Sequence, residues 1–183
     1  MRCLAALLCC IAATPLAAQE PTPPVPDSTA AESTRVPAPP TPEQERFLDG
    51  LRTATRGIAQ LKDGVGRVTR AQATSDSSGQ RRAGRFLAGL CGSARGFLKR
   101  GRPHLSPAVY ADSARLMARR LVTQVDSLIA YATTCEQIAG ASPAPTAADL
   151  GKRMKTYDAV LRDFRLAVGL PVKDDTAKQG RRP

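Results

Sequence analysis

Tryptophan is absent from the chain, histidine occurs once, and aromatic residues make up only 4% of it. So little imidazole excludes a multi-histidine metal centre, and so few aromatics leave no stacking platform for nucleic-acid bases. Acidic residues are also scarce, 16 against 27 Lys and Arg, for a net charge of +11. None occurs between Asp76 and Asp112. Beyond residue 18 no apolar run approaches the ~20 residues that a membrane-spanning helix needs. The chain has no HExxH helix, no Cys-x-x-Cys-His haem attachment sequence and no glycine cluster placed to cradle phosphates. At 183 residues it suits one modest domain and excludes a large multidomain enzyme.

The N-terminus reads MRCLAALLCCIAATPLAAQE. Arg2 is a short basic lead, Cys3 to Ala13 an apolar stretch too short to span a bilayer, and Thr14 to Ala18 a cleavage region. This pattern predicts a Sec signal peptide over 1–18, with Gln19 as the new N-terminus and a cut movable by one or two residues because Leu16 is bulky. Leu7 and Leu8 before Cys9 disfavour lipid attachment. The expected location is therefore exported, periplasmic or extracellular. Cleavage would remove Cys3, Cys9 and Cys10, leaving Cys91 and Cys135, and a pair of cysteines in an exported chain points to one disulfide.

Residues 19–40, QEPTPPVPDSTAAESTRVPAPP, hold valine as their only large apolar residue type. They cannot bury enough surface to offset the entropy of ordering, so a disordered, polyproline II-like linker is expected. Four helical patterns follow over 41–170, at about 42–73, 78–100, 107–138 and 147–168. The first opens on Thr41-Pro42-Glu43-Gln44, a capping box with proline at the first helical position. Its apolar seam is Phe47, Leu51, Ala54, Ile58, Leu61, Val65 and Val68. The second carries Phe86, Leu87, Leu90, Ala94, Phe97 and Leu98, with Ser77 and Gln80 as its candidate cap. Ser106-Pro107 reads as the start of the third, whose seam runs Tyr110, Ala114, Met117, Leu121, Val125, Leu128, Ala132 and Cys135. Thr146 and Asp149 read as a box opening the fourth, with Leu150, Met154, Tyr157, Leu161, Phe164 and Val168 inward. Gly169-Leu170-Pro171 ends it, and 171–183 is a polar tail. Spacings that alternate four and three are those of helices crossing at a shallow angle. The expected fold class is all-α, an up-down-up-down four-helix bundle.

Gly50, Gly57 and Gly64 recur every seventh residue beside the first seam. Each glycine weakens an isolated helix by ~1 kcal/mol, which suggests that this flank lies against a neighbouring backbone. Packing within one chain or between two is left open, and so is a dimer. The cysteines raise a conflict. A hairpin turning at 101–106 sets Cys91 opposite residue 116, roughly 19 residues or ~28 Å from Cys135, whereas a bridge needs Cα atoms within ~7 Å. Compartment argues for the bond and this simple hairpin against it. An overhanging third helix, a kink near Gly89 or Gly92, or a different helix arrangement would reconcile them; an intermolecular bond or free thiols are the alternatives.

Arg81, Arg82, Arg85, Arg95, Lys99, Arg100 and Arg102 fall in the acid-free interval and form a basic edge, either one suited to anionic partners or a solvated face that keeps the protein soluble. An exported protein meets anionic lipid, polysaccharide or another protein rather than nucleic acid. His104 lies in a loop without a second histidine, and Met117 and Met154, its only conceivable co-ligands, sit on apolar seams. Asp158 with Asp163, and Asp174 with Asp175, read as solvated charges. No catalytic, metal or cofactor site is expected. The reading is an exported non-enzymatic bundle acting by surface binding, in a structural, adaptor or chaperone-like envelope role. The alternative is a small-ligand or cofactor carrier using the bundle interior.

Overall fold

Thr41 starts the first helix as its spacing predicts: its Oγ1 accepts from Gln44 N at 3.3 Å, and Gln44 Oε1 accepts from Thr41 N at 3.0 Å. The resulting helix α1 spans Pro42–Ala73. It is followed by α2 (Ser77–Gly101), α3 (Asp112–Ile138) and α4 (Pro143–Ala167). Our computed structural model describes residues 39–74 and 76–172. The expected signal peptide, the Pro-rich segment up to residue 38 and the tail from residue 173 lie outside them. The described residues form an all-α four-helix bundle without strands. Each helix packs on the next in sequence, and α4 closes the bundle against α1.

The core follows the seams closely. Phe47, Leu51, Ala54, Ile58, Leu61 and Val68 of α1 are buried, as are Leu121, Val125, Leu128, Ala132 and Cys135 of α3, and Leu150, Met154, Tyr157, Leu161 and Phe164 of α4. Each larger side chain withdrawn from water contributes about 1.5–3 kcal/mol. The second seam is partly corrected. Leu87, Ala94 and Leu98 are buried, but Phe86 is 45% exposed and lies under the Arg67 guanidinium, 4.4 Å from its ring centroid. At the far end of α4, Gly169 at φ 70° lets the chain turn, and Leu170 N donates to Arg165 O at 2.8 Å.

The glycine spacing is explained within one chain. A methyl group at Gly50 would sit 2.8 Å from Gly101 O, at Gly57 2.8 Å from Ala94 O, and at Gly64 2.7 Å from a Leu87 methyl. Seven-residue steps along α1 are thus matched by seven-residue steps back along α2, at Gly101, Ala94 and Leu87. Backbones come this close only where one side lacks a Cβ.

Three helix starts differ from expectation. Asp76, rather than Ser77, caps α2 by accepting from Ser78 N and Gly79 N, both at 2.9 Å. The fourth helix begins at Pro143, not near residue 147; prolines are tolerated there because N–H groups of a first turn have no helical partner. Thr146 is therefore inside the helix, buried, with Oγ1 donating to Ser142 O at 2.6 Å.

The third difference has the widest effect. Residues 107–111 do not begin the third helix. They belong to a connector, 102–111, with short 3-10 turns at Arg102–His104 and Pro107–Val109. This connector does not reverse. It continues along α1, with Leu105 and His104 against Gly50 and Val109 O accepting from Gln44 Nε2 at 3.3 Å. Tyr110 then inserts between Phe47 and Phe164, ring centroids 5.1 and 5.4 Å away. The chain turns only at Asp112, so the start of α3 overhangs the end of α2. On the way back Asp126 comes opposite Arg102, and Cys135 opposite Cys91. The two cysteines have Cα atoms 6.0 Å apart and bonded sulfurs, both fully buried. Overhang, one of the three ways to reconcile the cysteines, is the one the protein uses.

Two stability experiments follow. Gly57→Ala should destabilise by about 1–3 kcal/mol, because α1 must move off the Ala94 carbonyl. Gly89→Ala, where nothing lies within 4 Å of the new methyl, should stabilise by up to about 1 kcal/mol. Chemical denaturation reads both, and equal signs would refute the close-approach account. Cys91→Ala with Cys135→Ala opens a link of sequence separation 44. It should cost about 4 kcal/mol by loop entropy, as a fall in denaturation midpoint under non-reducing conditions.

Candidate functional site

The periodicity of α2 sorts its basic residues by what they face. Its buried side presents Gly84, Leu87, Cys91, Ala94, Leu98 and Gly101 to the bundle. Arg95 and Arg102 lie on the edge next to α3 and are both neutralised there. Arg95 pairs with Glu136 at 2.9 Å, and Arg102 makes a two-pronged contact with Asp126 at 2.6 and 3.0 Å. The Asp126 hydrogen bond also raises the Arg102 pKa. Arg81, Arg82, Arg85 and Lys99 are exposed, and none has a carboxylate partner among the described residues. Arg100 is likewise without an ion pair and lies over the Phe97 ring at 4.5 Å. Lys99 and Arg100 also occupy the last turn of α2, where unpaired carbonyls favour cations. The seven residues of the basic edge thus divide into two that bind the helix to α3 and five that face outward.

Next to this face, α1, α2 and the connector enclose a surface pocket of about 420 Å³ lined by Arg46, Asp49, Gly50, Thr53, Arg100 and His104. Sequence reasoning set His104 aside as an isolated loop residue and did not single out Arg46. Only the course of the connector brings them together with Arg100. The one signal available beforehand was Gly50, whose missing side chain admits His104: a methyl there would be 2.7 Å from His104 Cβ. Thr53 Oγ1 donates to Asp49 O at 3.0 Å, and the Asp49 carboxylate pairs with Arg52.

Elsewhere the candidates are of another kind. A groove of about 770 Å³ at the end of the bundle is lined mainly by apolar groups, among them Leu48, Tyr110, Ala114, Val168 and Leu170. Met154 is buried in the core and Met117 is packed against it, so neither stands beside His104. Asp158 is bound by Lys62 at 2.7 Å, and Asp163 lies 3.7 Å from Arg162. Among the described residues no group of three or more His, Cys, Asp or Glu is arranged to hold a metal ion, and no helix is long and apolar enough to cross a membrane.

Three tyrosines carry the remaining perturbed protonation. Burial pushes Tyr157 and Tyr110 up to about 12. The Tyr157 hydroxyl faces Thr55, whose own hydroxyl donates to Leu51 O, and is left without a hydrogen-bond partner. Tyr131, raised by burial and then by Asp149, donates to Thr146 O at 3.4 Å beneath Arg153. Tyr110 and Tyr157 are both part of the packed core.

A phenol whose folded pKa exceeds its unfolded value stabilises the fold fully below the unfolded pKa, and that stabilisation is lost as pH rises toward the folded one. With an ordinary value of 10.0 and folded values of about 12, stability should decline between these limits. Absorbance near 295 nm, undisturbed by tryptophan, should show delayed tyrosinate formation in the native protein and ordinary titration in denaturant. Ordinary titration of all three tyrosines in the native protein would contradict their burial. Comparison with known protein families, curated proteins and solved structures finds no match.

Proposed function

We propose that the protein is an exported, non-enzymatic helical bundle that acts by binding, and that the outward face of α2 contacts anionic envelope components. One observation carries this reading: Arg81, Arg82 and Arg85 near the start of α2 and Lys99 and Arg100 near its end have no carboxylate partner among the described residues, while Arg95 of that helix and Arg102 just past its end are paired. An unneutralised row of this sort is attracted to phosphate-bearing surfaces, each charge near such a surface adding about 1 kcal/mol. The signal-like N-terminus and the Cys91–Cys135 pair support an oxidising compartment outside the cytoplasm. In that setting the role is structural, adaptor or chaperone-like.

A second reading, a carrier of a small apolar ligand, is favoured by the 770 Å³ groove beside Tyr110 rather than by the bundle interior, whose centre is filled by Phe47, Tyr157 and Phe164. Native mass spectrometry of the purified protein separates the two: a retained small molecule supports the carrier.

Co-sedimentation with anionic and neutral vesicles across a salt series tests the first reading. The protein should pellet with anionic vesicles at low salt and be released as the screening length falls below ~10 Å near 0.1 M. Changing Arg81, Arg82 and Arg85 to Ser together removes about 3 kcal/mol, a loss of roughly a hundredfold in affinity, with melting unchanged because all three are exposed. Equal binding to neutral vesicles, or full binding by the triple variant, would defeat the proposal.

A further inference from the structure

We infer that the pocket formed by α1, α2 and the connector is a seat for one phosphate monoester group, the dianion being held by Arg46, Arg100 and His104. This inference rests on the reading of α2 as an anion-contacting face, and names the point on that face where a single headgroup or phosphate ester is gripped. The three basic side chains come from three different elements and line one concavity of about 420 Å³. Neither arginine has an ion-pair partner among the described residues. The only carboxylate in the lining, Asp49, is paired with Arg52, so the concavity presents net positive charge.

Two features organise the donors. Arg100 lies over Phe97 at 4.5 Å, which limits the orientations of its guanidinium plane, and a planar fork of N–H groups matches two oxygens of a phosphate. His104 is drawn against α1 because Gly50 has no side chain, and imidazole supplies at least one N–H donor whatever its protonation. A monoester carries more charge at pH 7 than a diester and exposes three free oxygens. Three donors from different directions suit it better than the single-charged diester of a bulk lipid surface. The outward arginines of α2 then supply long-range attraction, and the pocket supplies selection among anions.

The test compares glycerol 3-phosphate in solution with vesicles containing phosphatidic acid or an equal charge of phosphatidylglycerol. It uses wild type, Arg46→Gln with Arg100→Gln, His104→Gln, and the Arg81/Arg82/Arg85→Ser protein. In amide NMR titrations, glycerol 3-phosphate should give saturable shifts centred on Gly50, Gly101 and His104. The double variant should lose roughly tenfold or more in affinity with an unchanged melting temperature, and His104→Gln should lose less. The triple serine variant should keep that affinity within about twofold, because its changes lie outside the pocket. Preference for phosphatidic acid that disappears in the double variant assigns the phosphate to a lipid headgroup. Binding of glycerol 3-phosphate without any vesicle binding assigns it to a soluble ester, upholding the pocket while defeating the membrane-contact reading. Shifts spread evenly over the basic residues, no saturation, or undiminished affinity in the double variant overturn the pocket; salt-sensitive vesicle binding in that case leaves the broader reading standing.

Discussion

The contact between the backbones of α1 and α2 sets the rest of the structure. Gly50, Gly57 and Gly64 each cost helix propensity of about 1 kcal/mol in an isolated helix, so α1 gains from its glycines only when α2 lies against them. Helix formation and helix packing are thereby coupled. The contact is specific in register as well as in distance. Gly57 admits the Ala94 carbonyl and Gly50 the Gly101 carbonyl, and a slide of one residue would set methylene and methyl groups where only hydrogen fits. With α2 held in this register its last residue meets Gly50, leaving the first two turns of α1 without a partner from α2. The connector 102–111 fills that vacancy with Leu105 and Tyr110, and this requirement is what delays the reversal of the chain to Asp112.

That delay accounts for most of what was illegible in the sequence. Features with local causes were readable: the Thr41 box, the seams of α1 and α4, the Gly169 stop and the four-helix architecture. Ser106-Pro107 has the local chemistry of a helix start, and nothing in the neighbouring residues says that Tyr110 will be claimed by Phe47 and Phe164, or Val109 O by Gln44. Taking the third helix to start five residues early moved the hairpin centre, and every α2–α3 pairing with it. The same shift that set Cys135 apparently out of reach of Cys91 also hid Glu136 from Arg95 and Asp126 from Arg102. A question about one disulfide was thus a question about helix register. The pocket was hidden for the same reason, since Arg46, Arg100 and His104 share a concavity only through the path of the connector.

Phe86 illustrates a different limit. Periodicity places it beside Leu87 on an apolar strip, yet α2 turns its true core side toward Cys91 and Leu98, and Phe86 faces outward beneath Arg67. A guanidinium over an aromatic face contributes only about 0.5–1 kcal/mol at an exposed site. Covered in this way, the ring extends the α1–α2 contact to the surface instead of adding to the core.

Unbalanced positive charge along one helix opposes folding through self-repulsion, and the structure distributes it accordingly. Where α2 adjoins α3, Arg95 and Arg102 face carboxylates, and the same edge carries the buried cysteine bond. Where α2 adjoins α1, the close contact sets Gly50, Gly57 and Gly64 against Gly101, Ala94 and Leu87, with Arg67 over Phe86 at its rim. Repulsion among the outward arginines is therefore borne by a helix fastened on both flanks. All five outward side chains are exposed, so the packing of the bundle does not require them to be basic. The paired edge shows what stability alone asks of a basic residue here, namely a carboxylate across the interface. Among the described residues the five outward cations have no such carboxylate, and beside them a pocket holds a further arginine and the single histidine; the proposed contact with an anion rests on that contrast with the paired edge.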